Sequence, residues 1–177
     1  MSDQARGVVE YAGTPSFDDL GVRAAEVVHA AARAGLTLAT AESCTGGLVA
    51  SALTSVPGSS AAVRGGVVSY AIGVKRSVLG VDGAVLDDPS LGAVSSPCAC
   101  QMAQGAARVL DADVAVSVTG IAGPGGAEPG KPVGTVWFGI HGPHGTRSEL
   151  HAFQGDRSQV RLQAVWVALS LIYGELA

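Results

Sequence analysis

Ser43 sits in the stretch Thr40-Ala-Glu-Ser-Cys-Thr-Gly-Gly47, after the short apolar run Leu36 to Ala39 and before Leu48-Val-Ala-Ser-Ala-Leu-Thr54, whose apolar spacing suits a helix. A hydroxyl on such a strand-to-helix turn adjoins the free N–H groups of the coming helix, which can face an anion or an oxygen developing negative charge. Nucleophilic acyl chemistry is one use of that arrangement. The plainer alternative is that Ser43 or Thr45 caps the helix and the glycines permit a tight turn.

A serine nucleophile needs a base. His29, His141, His144 and His151 are scattered, one in a helical pattern and three around a hairpin, so neither a Ser-His-Asp triad nor a metal site is expected. Lysine serves as a base once burial lowers its pKa. Lys75 is one of only two lysines and follows an apolar strand, whereas Lys131 lies in a Gly/Pro loop where solvation is expected. An exposed Lys75 is the ordinary alternative. Tyr70, five residues earlier, either bridges Ser43 and Lys75 by hydrogen bonds or simply packs. Cys44 is a rival nucleophile, because a thiol at a helix N-terminus has a depressed pKa. Glu42 has two candidate roles, charge partner of a catalytic lysine or buried hydrogen-bonder.

Thr119-Gly-Ile-Ala-Gly-Pro-Gly-Gly-Ala-Glu-Pro-Gly-Lys131 begins like a P-loop from Gly125 onward, but Pro132 stands where that motif needs Ser or Thr for magnesium. A strand rather than a helix follows, so an NTPase is not expected. The loop still brings glycines and a hydroxyl to a strand end, where open α/β sheets bind ligands. It is equally readable as a long flexible connection.

The elements that must position these groups alternate along the chain. Asp18 and Asp19, the apolar spacing from Leu20 to Ala32 and the stop at Gly35 predict a helix over 17–34. A strand over 36–41 and a helix over 45–55 follow, then a turn at Pro57-Gly58. Arg64 to Tyr70 reads as a second strand, in which Gly65 and Gly66 allow a close approach of another backbone, and 74–79 as a short helix. The segment 81–91 reads as loop. Ser95-Ser96-Pro97 opens a helix to Leu110, and the β-branched run 113–119 suits an interior strand. Pro132 to Ile140 and Arg147 to Phe153 flank a turn-rich connector and predict an antiparallel hairpin, and 156–176 is the closing helix. Together these give an α/β fold, a three-layer α/β/α sandwich with a mixed, mostly parallel sheet.

Composition narrows the partners. The 177 residues are one domain's length, expected as a loose leader over 1–16 and a single domain over 17–177. Hydrophobic residues make up 47% and charged residues 15%, with 25 glycines and a net charge of −4, and no run of Lys or Arg appears. Nucleic acid and anionic membrane surfaces are therefore not expected partners. No apolar run approaches the roughly 18 residues of a membrane span. The three cysteines, Cys44, Cys98 and Cys100, lack disulfide or zinc spacing, which fits a reducing cytoplasm.

Taken together, Thr40 to Gly47, Val56-Pro-Gly-Ser-Ser60, Arg64-Gly-Gly-Val-Val68 with Tyr70 and Lys75, Gly92-Ala-Val-Ser95, Thr119 to Gly126, Lys131-Pro-Val-Gly-Thr-Val-Trp137 and Gly155-Asp-Arg157 resemble the CinA C-terminal domain family over about residues 18–175. The resemblance implies an α/β/α sandwich, a homodimer, and nicotinamide mononucleotide (NMN) deamidase activity without a cofactor or metal. That activity yields nicotinate mononucleotide and ammonia in pyridine-nucleotide salvage. It places catalysis on Ser43, Tyr70 and Lys75. Glu42, Cys44, Thr45, Gly46 and Gly47 would form the oxyanion and substrate-binding turn, and Thr119 and Gly120 would begin a phosphate-binding loop. Two departures stand out: Ile72 occupies a position where deamidases of the family commonly carry Asn, and Leu91 one where His is common. The alternative implied is a catalytically weak nucleotide-binding or regulatory protein.

Overall fold

Hydrogen-bond demand sets the element boundaries of the computed structural model, which describes residues 13–176. Twelve residues of the expected leader, 1–12, lie outside the described residues. Helix α1 (Phe17–Ala34) starts at Ser16, whose side chain forms a reciprocal capping box with Asp19, and stops at Gly35 in the left-handed conformation. Its buried residues Leu20, Ala24, Val27, Val28 and Ala31 follow the helical repeat and face inward.

Strand β1 (Leu38–Glu42) is buried along its whole length. It begins two residues later than the sequence suggests, because Thr37 is occupied with Asp113: its N–H and hydroxyl both donate to that carboxylate, at 2.8 and 2.7 Å. Helix α2 (Leu48–Thr54) likewise starts three residues late, since Gly46 and Gly47 take left-handed φ of 62° and 96° and hold a turn ahead of it. A 3₁₀ turn (Ser59–Ala61) leads to β2 (Val63–Val68), then to α3 (Ile72–Ser77). Gly66 leaves room for the Thr40 hydroxyl and for Ala50 of α2, so the close approach is by side chains rather than by a backbone. Helix α4 (Gly83–Leu86), capped by Asp82, lies in the segment read as loop; four residues are too few for a periodic pattern.

Helix α5 (Ser96–Leu110) is capped by Ser95 with Pro97 in its first turn. Strand β3 (Val114–Gly120) follows, then the hairpin of β4 (Thr135–Gly142) and β5 (Gly145–Ala152), which turns on Pro143 and His144 alone. Helix α6 (Arg157–Glu175) closes the chain, with Asp156 and Gln159 forming a second capping box.

The five strands form one sheet in the order β2-β1-β3-β4-β5. Pairing is parallel at β2–β1 and β1–β3 and antiparallel at β3–β4 and β4–β5. Four strands thus point one way and only β4 opposes them, so the expected mixed, largely parallel sheet is present in strand direction, with the pairings evenly divided.

Alternation within the strands separates the two faces of this α/β/α sandwich. Leu38, Val114, Val116, Val118, Val136, Phe138 and Ile140 pack with α1, α2 and α6. Ala39, Ala41 and Ala115 face α5 and the α4 region. The second face is built from small residues, and α5 comes close enough that a Cβ on Gly139 would lie 2.2 Å from the Ala99 carbonyl oxygen. Ser117 uses that proximity, donating to the same oxygen at 2.6 Å.

Candidate active site

The carboxyl ends of β1, β2 and β3 lie on one edge of the sheet, and the chain leaves β1 toward β2 on one side and returns as β3 on the other. Open α/β sheets bind ligands at such switch points. Ser43 is the first residue beyond β1, its N–H donating to Val118 at 2.9 Å. Ser69 is the first beyond β2, its N–H donating to the Glu42 carbonyl at 2.7 Å. One short turn further, α3 folds Lys75 back beneath both.

Lys75 is 1% exposed, and its Nζ lies 3.0 Å from Ser43 Oγ and 2.5 Å from the Ser69 carbonyl oxygen. No carboxylate pairs with it among the described residues. Burial therefore dominates and pulls its pKa below the ordinary 10.5, the nearby Cys98 and Cys44 opposing weakly. The structure thus brings Ser43 and Lys75 together directly. Tyr70 is not a bridge between them: it is 64% exposed, and its hydroxyl receives a 3.4 Å bond from Arg157.

Glu42 fills the second of its two candidate roles. Its carboxylate is 1% exposed and accepts from the Thr40 hydroxyl at 3.2 Å and from the N–H groups of Gly47, Val49 and Ala50 at 3.0, 3.1 and 2.9 Å. It caps α2 from below and engages most of the N–H groups the helix start offers. The oxyanion donors narrow accordingly. Gly46 N–H turns back to the Ser43 carbonyl at 3.1 Å, Gly47 N–H is held by Glu42, and Leu48 N–H points at the Thr45 carbonyl at 3.4 Å. Within this turn the N–H groups of Cys44 and Thr45 alone have no backbone or carboxylate acceptor among the described residues, the Cys44 N–H meeting only its own thiol.

Cys44 is not the depressed-pKa thiol expected of a helix N-terminus. It is 5% exposed, faces the α1/α2/α6 core, and burial pushes its pKa up to about 11. Thr45 is fully buried and its hydroxyl is unpartnered.

The first two residues of the glycine-rich loop are tied into the sheet. Thr119 is 1% exposed and donates to the Ala93 carbonyl at 2.6 Å, tying β3 to the chain before α5. Gly120 belongs to the sheet, where a Cβ would lie 2.6 Å from the Thr135 carbonyl oxygen. Neither presents a cradle of free N–H groups. Lys131 is only 16% exposed, its ammonium donating to the Leu91 carbonyl at 2.6 Å and to Glu128 at 3.2 Å. Burial against the Leu91 segment, rather than solvation, is the fate of this loop lysine.

Residues 22–176 match the family model described as the CinA C-terminal domain. The chain belongs to that family. CinA-like proteins of Anaeromyxobacter dehalogenans strain 2CP-C and Mycolicibacterium gilvum are 50% and 51% identical to it, over 82% and 81% of this chain. It spans only about a third of their lengths, 35% and 34%. Among solved structures, a CinA superfamily protein of Escherichia coli superposes with a TM-score of 0.88 at 34% identity, covering 98% of both chains. A competence/damage-inducible protein of Agrobacterium tumefaciens gives 0.82 at 40% identity, covering 91% of this chain and 96% of that one.

Two residues of this CinA domain escaped the reading of its sequence as site residues. Arg157, in the first turn of α6, donates to the Gly123 carbonyl at 2.9 Å as well as to Tyr70, and its charge reaches Cys44. Arg161, one turn on, donates through Nε to the Cys44 carbonyl at 3.1 Å and through Nη2 to the Thr45 carbonyl at 2.8 Å. Both lie more than a hundred residues from Ser43. Only the Gly155-Asp-Arg157 motif hinted at the first, and nothing local marked the second.

Proposed function

We propose that this CinA domain is an amidohydrolase that converts NMN and water to nicotinate mononucleotide and ammonia in pyridine-nucleotide salvage. The observation that carries the reading is the 3.0 Å contact between Ser43 Oγ and a buried Lys75 with no carboxylate partner. A neutral amine donates one N–H to the Ser69 carbonyl and takes the Ser43 hydroxyl proton on its lone pair. Ser43 Oγ then attacks the carboxamide carbon. The oxyanion develops beside the N–H groups of Cys44 and Thr45. Lys75 returns the proton to the departing ammonia, leaving an acyl-enzyme; it then takes a proton from the water that hydrolyses the ester, and Ser43 is regenerated.

Arg157 is the cation best placed for the 5′-phosphate, because it is exposed, adjoins Tyr70 and is not in an ion pair among the described residues. Tyr70 then serves as a substrate-facing wall rather than a proton relay. No metal enters the scheme, and the described residues contain no group of three or more His, Cys, Asp or Glu arranged to hold one. No described helix is long and apolar enough to cross a membrane, and the proposed setting is cytoplasmic, as a homodimer.

The test is ammonia release from NMN by the purified protein, with Ser43→Ala as control. Release by the wild type and none by the variant supports the reading. Calorimetric binding of NMN without release points to the second reading, a nucleotide-binding protein, which Ile72 favours: it is 51% exposed beside the site and has no side-chain donor or acceptor.

A further inference from the structure

The turn after Ser43 contains three consecutive peptide units whose orientations are fixed from different directions. In the 43–44 unit the carbonyl accepts from Gly46 N–H, which leaves Cys44 N–H on the opposite side of the plane. In the 44–45 unit the carbonyl is held by Arg161 Nε at 3.1 Å, which leaves Thr45 N–H opposite. In the 45–46 unit the carbonyl is held by Arg161 Nη2 at 2.8 Å, and the Gly46 N–H opposite closes the turn on Ser43. A peptide is planar, so anchoring its oxygen aims its hydrogen. Arg161 thus determines where the Thr45 donor points and locks the unit that sets the Cys44 donor.

The anchor is also electrically suited to the task. A guanidinium on a carbonyl oxygen polarises the peptide and strengthens the N–H on its far side as a donor, an effect that grows away from water. The two nitrogens of one rigid, planar fork hold two successive carbonyls from separate points in a fixed geometry, whereas a lysine would have to reach both from one freely rotating nitrogen. Gly46 contributes through its left-handed φ of 62°, the conformation in which its N–H closes the turn on the Ser43 carbonyl.

We infer that Arg161 is a positioning residue for acyl transfer at Ser43, presetting the Cys44 and Thr45 N–H groups as the oxyanion site by clamping the carbonyls of the same turn. The role rests on the acyl-enzyme reading of Ser43 but not on NMN as the substrate. A small activated ester therefore tests it independently. With p-nitrophenyl acetate, the Ser43 Oγ–acetyl bond forms, the ester C–O bond breaks, p-nitrophenolate leaves and Lys75 takes the hydroxyl proton. The rate is read from p-nitrophenolate release, and the site from the mass of the acetylated peptide.

Arg161→Ala should lower the acylation rate roughly 10- to 100-fold, at or below the effect of deleting one oxyanion donor. Arg161→Lys should recover only part of the loss, and guanidinium added at sub-denaturing concentration should restore part of the rate to Arg161→Ala. A merely structural role would lower the melting temperature while leaving the rate of the folded fraction unchanged. That result overturns the inference, as does a wild type that the ester does not acylate at Ser43. Should Arg161→Ala fail to fold, Arg161→Lys decides: a wild-type rate overturns the inference, and a several-fold deficit supports it. A wild type that is acylated at Ser43 yet releases no ammonia from NMN removes the NMN reading and leaves the clamp standing.

Discussion

An ammonium inside a protein is tolerated when its protons find acceptors, and Lys75 has two, Ser43 Oγ and the Ser69 carbonyl, but no counter-charge. Its lowered pKa makes a signed prediction. The unfolded chain binds the proton up to about 10.5 and the folded chain releases it earlier, so stability attributable to this group rises with pH between the two values and is lowest below the folded one. Lys75→Met should therefore abolish ammonia release yet raise the melting temperature at neutral pH, with the advantage over wild type shrinking as pH approaches 10.5. In the wild type, acylation of Ser43 should rise with pH as Lys75 deprotonates, with its midpoint below that of an ordinary lysine. Cys44→Ala should keep most of the activity, and in the wild type the Cys44 thiol, held near pKa 11, should react slowly with iodoacetamide at neutral pH. The pairing of Ser43 with Lys75 was legible because Ser43 directly follows a recognisable strand and Lys75, one of two lysines, sits in the short helix after the next one. Glu42 was not: whether a carboxylate meets a lysine or a helix start depends on the turn between, and Gly46 and Gly47 direct it to the latter.

At the scale of elements, α2 depends on Glu42 much as a longer helix depends on a capping side chain. Its seven residues hold little helical stability of their own. Glu42→Ala removes the acceptor of three N–H groups and should destabilise the fold by about 2–4 kcal/mol, read by urea unfolding. The face of the sheet toward α5 depends instead on smallness. Gly139→Ala would drive a methyl into the Ala99 backbone, and Gly105→Ala into Leu79, where a Cβ would lie 2.1 Å from the carbonyl oxygen. Neither obstacle is a side chain that can rotate away, so each variant should lose about 1–3 kcal/mol or more. Sequence periodicity located α1, α5, β3 and α6 within one or two residues, because each carries a cap or a continuous buried run. It placed the start of α2 three residues early and missed α4, where single side-chain caps, not periodicity, set the boundary.

Over the whole molecule, the parallel half joins segments far apart in sequence, while β4 and β5 pair across a two-residue turn. The antiparallel hairpin is fastened to the end of α6, where Glu175, only 2% exposed, accepts from Arg147 of β5 and from the His144 N–H of the hairpin turn. Arg147→Ala should lower stability by about 2–3 kcal/mol, the low side for an interrupted buried pair because Arg147 is itself partly exposed, and should leave Ser43 acylation unchanged. The sandwich was legible from the alternation of elements; these fastenings were not, since they join residues that no local pattern relates. Helix α6 also carries Arg157 and Arg161 to a turn formed near residue 43, and that placement sets an order of assembly. During synthesis Ser43 and Lys75 leave the ribosome long before the helix whose Arg161 holds the Cys44 and Thr45 carbonyls and which covers the core. On the proposed reading, a nascent chain carries Ser43 and Lys75 without the clamp on the Cys44 and Thr45 carbonyls until α6 docks, so acyl transfer waits for that helix.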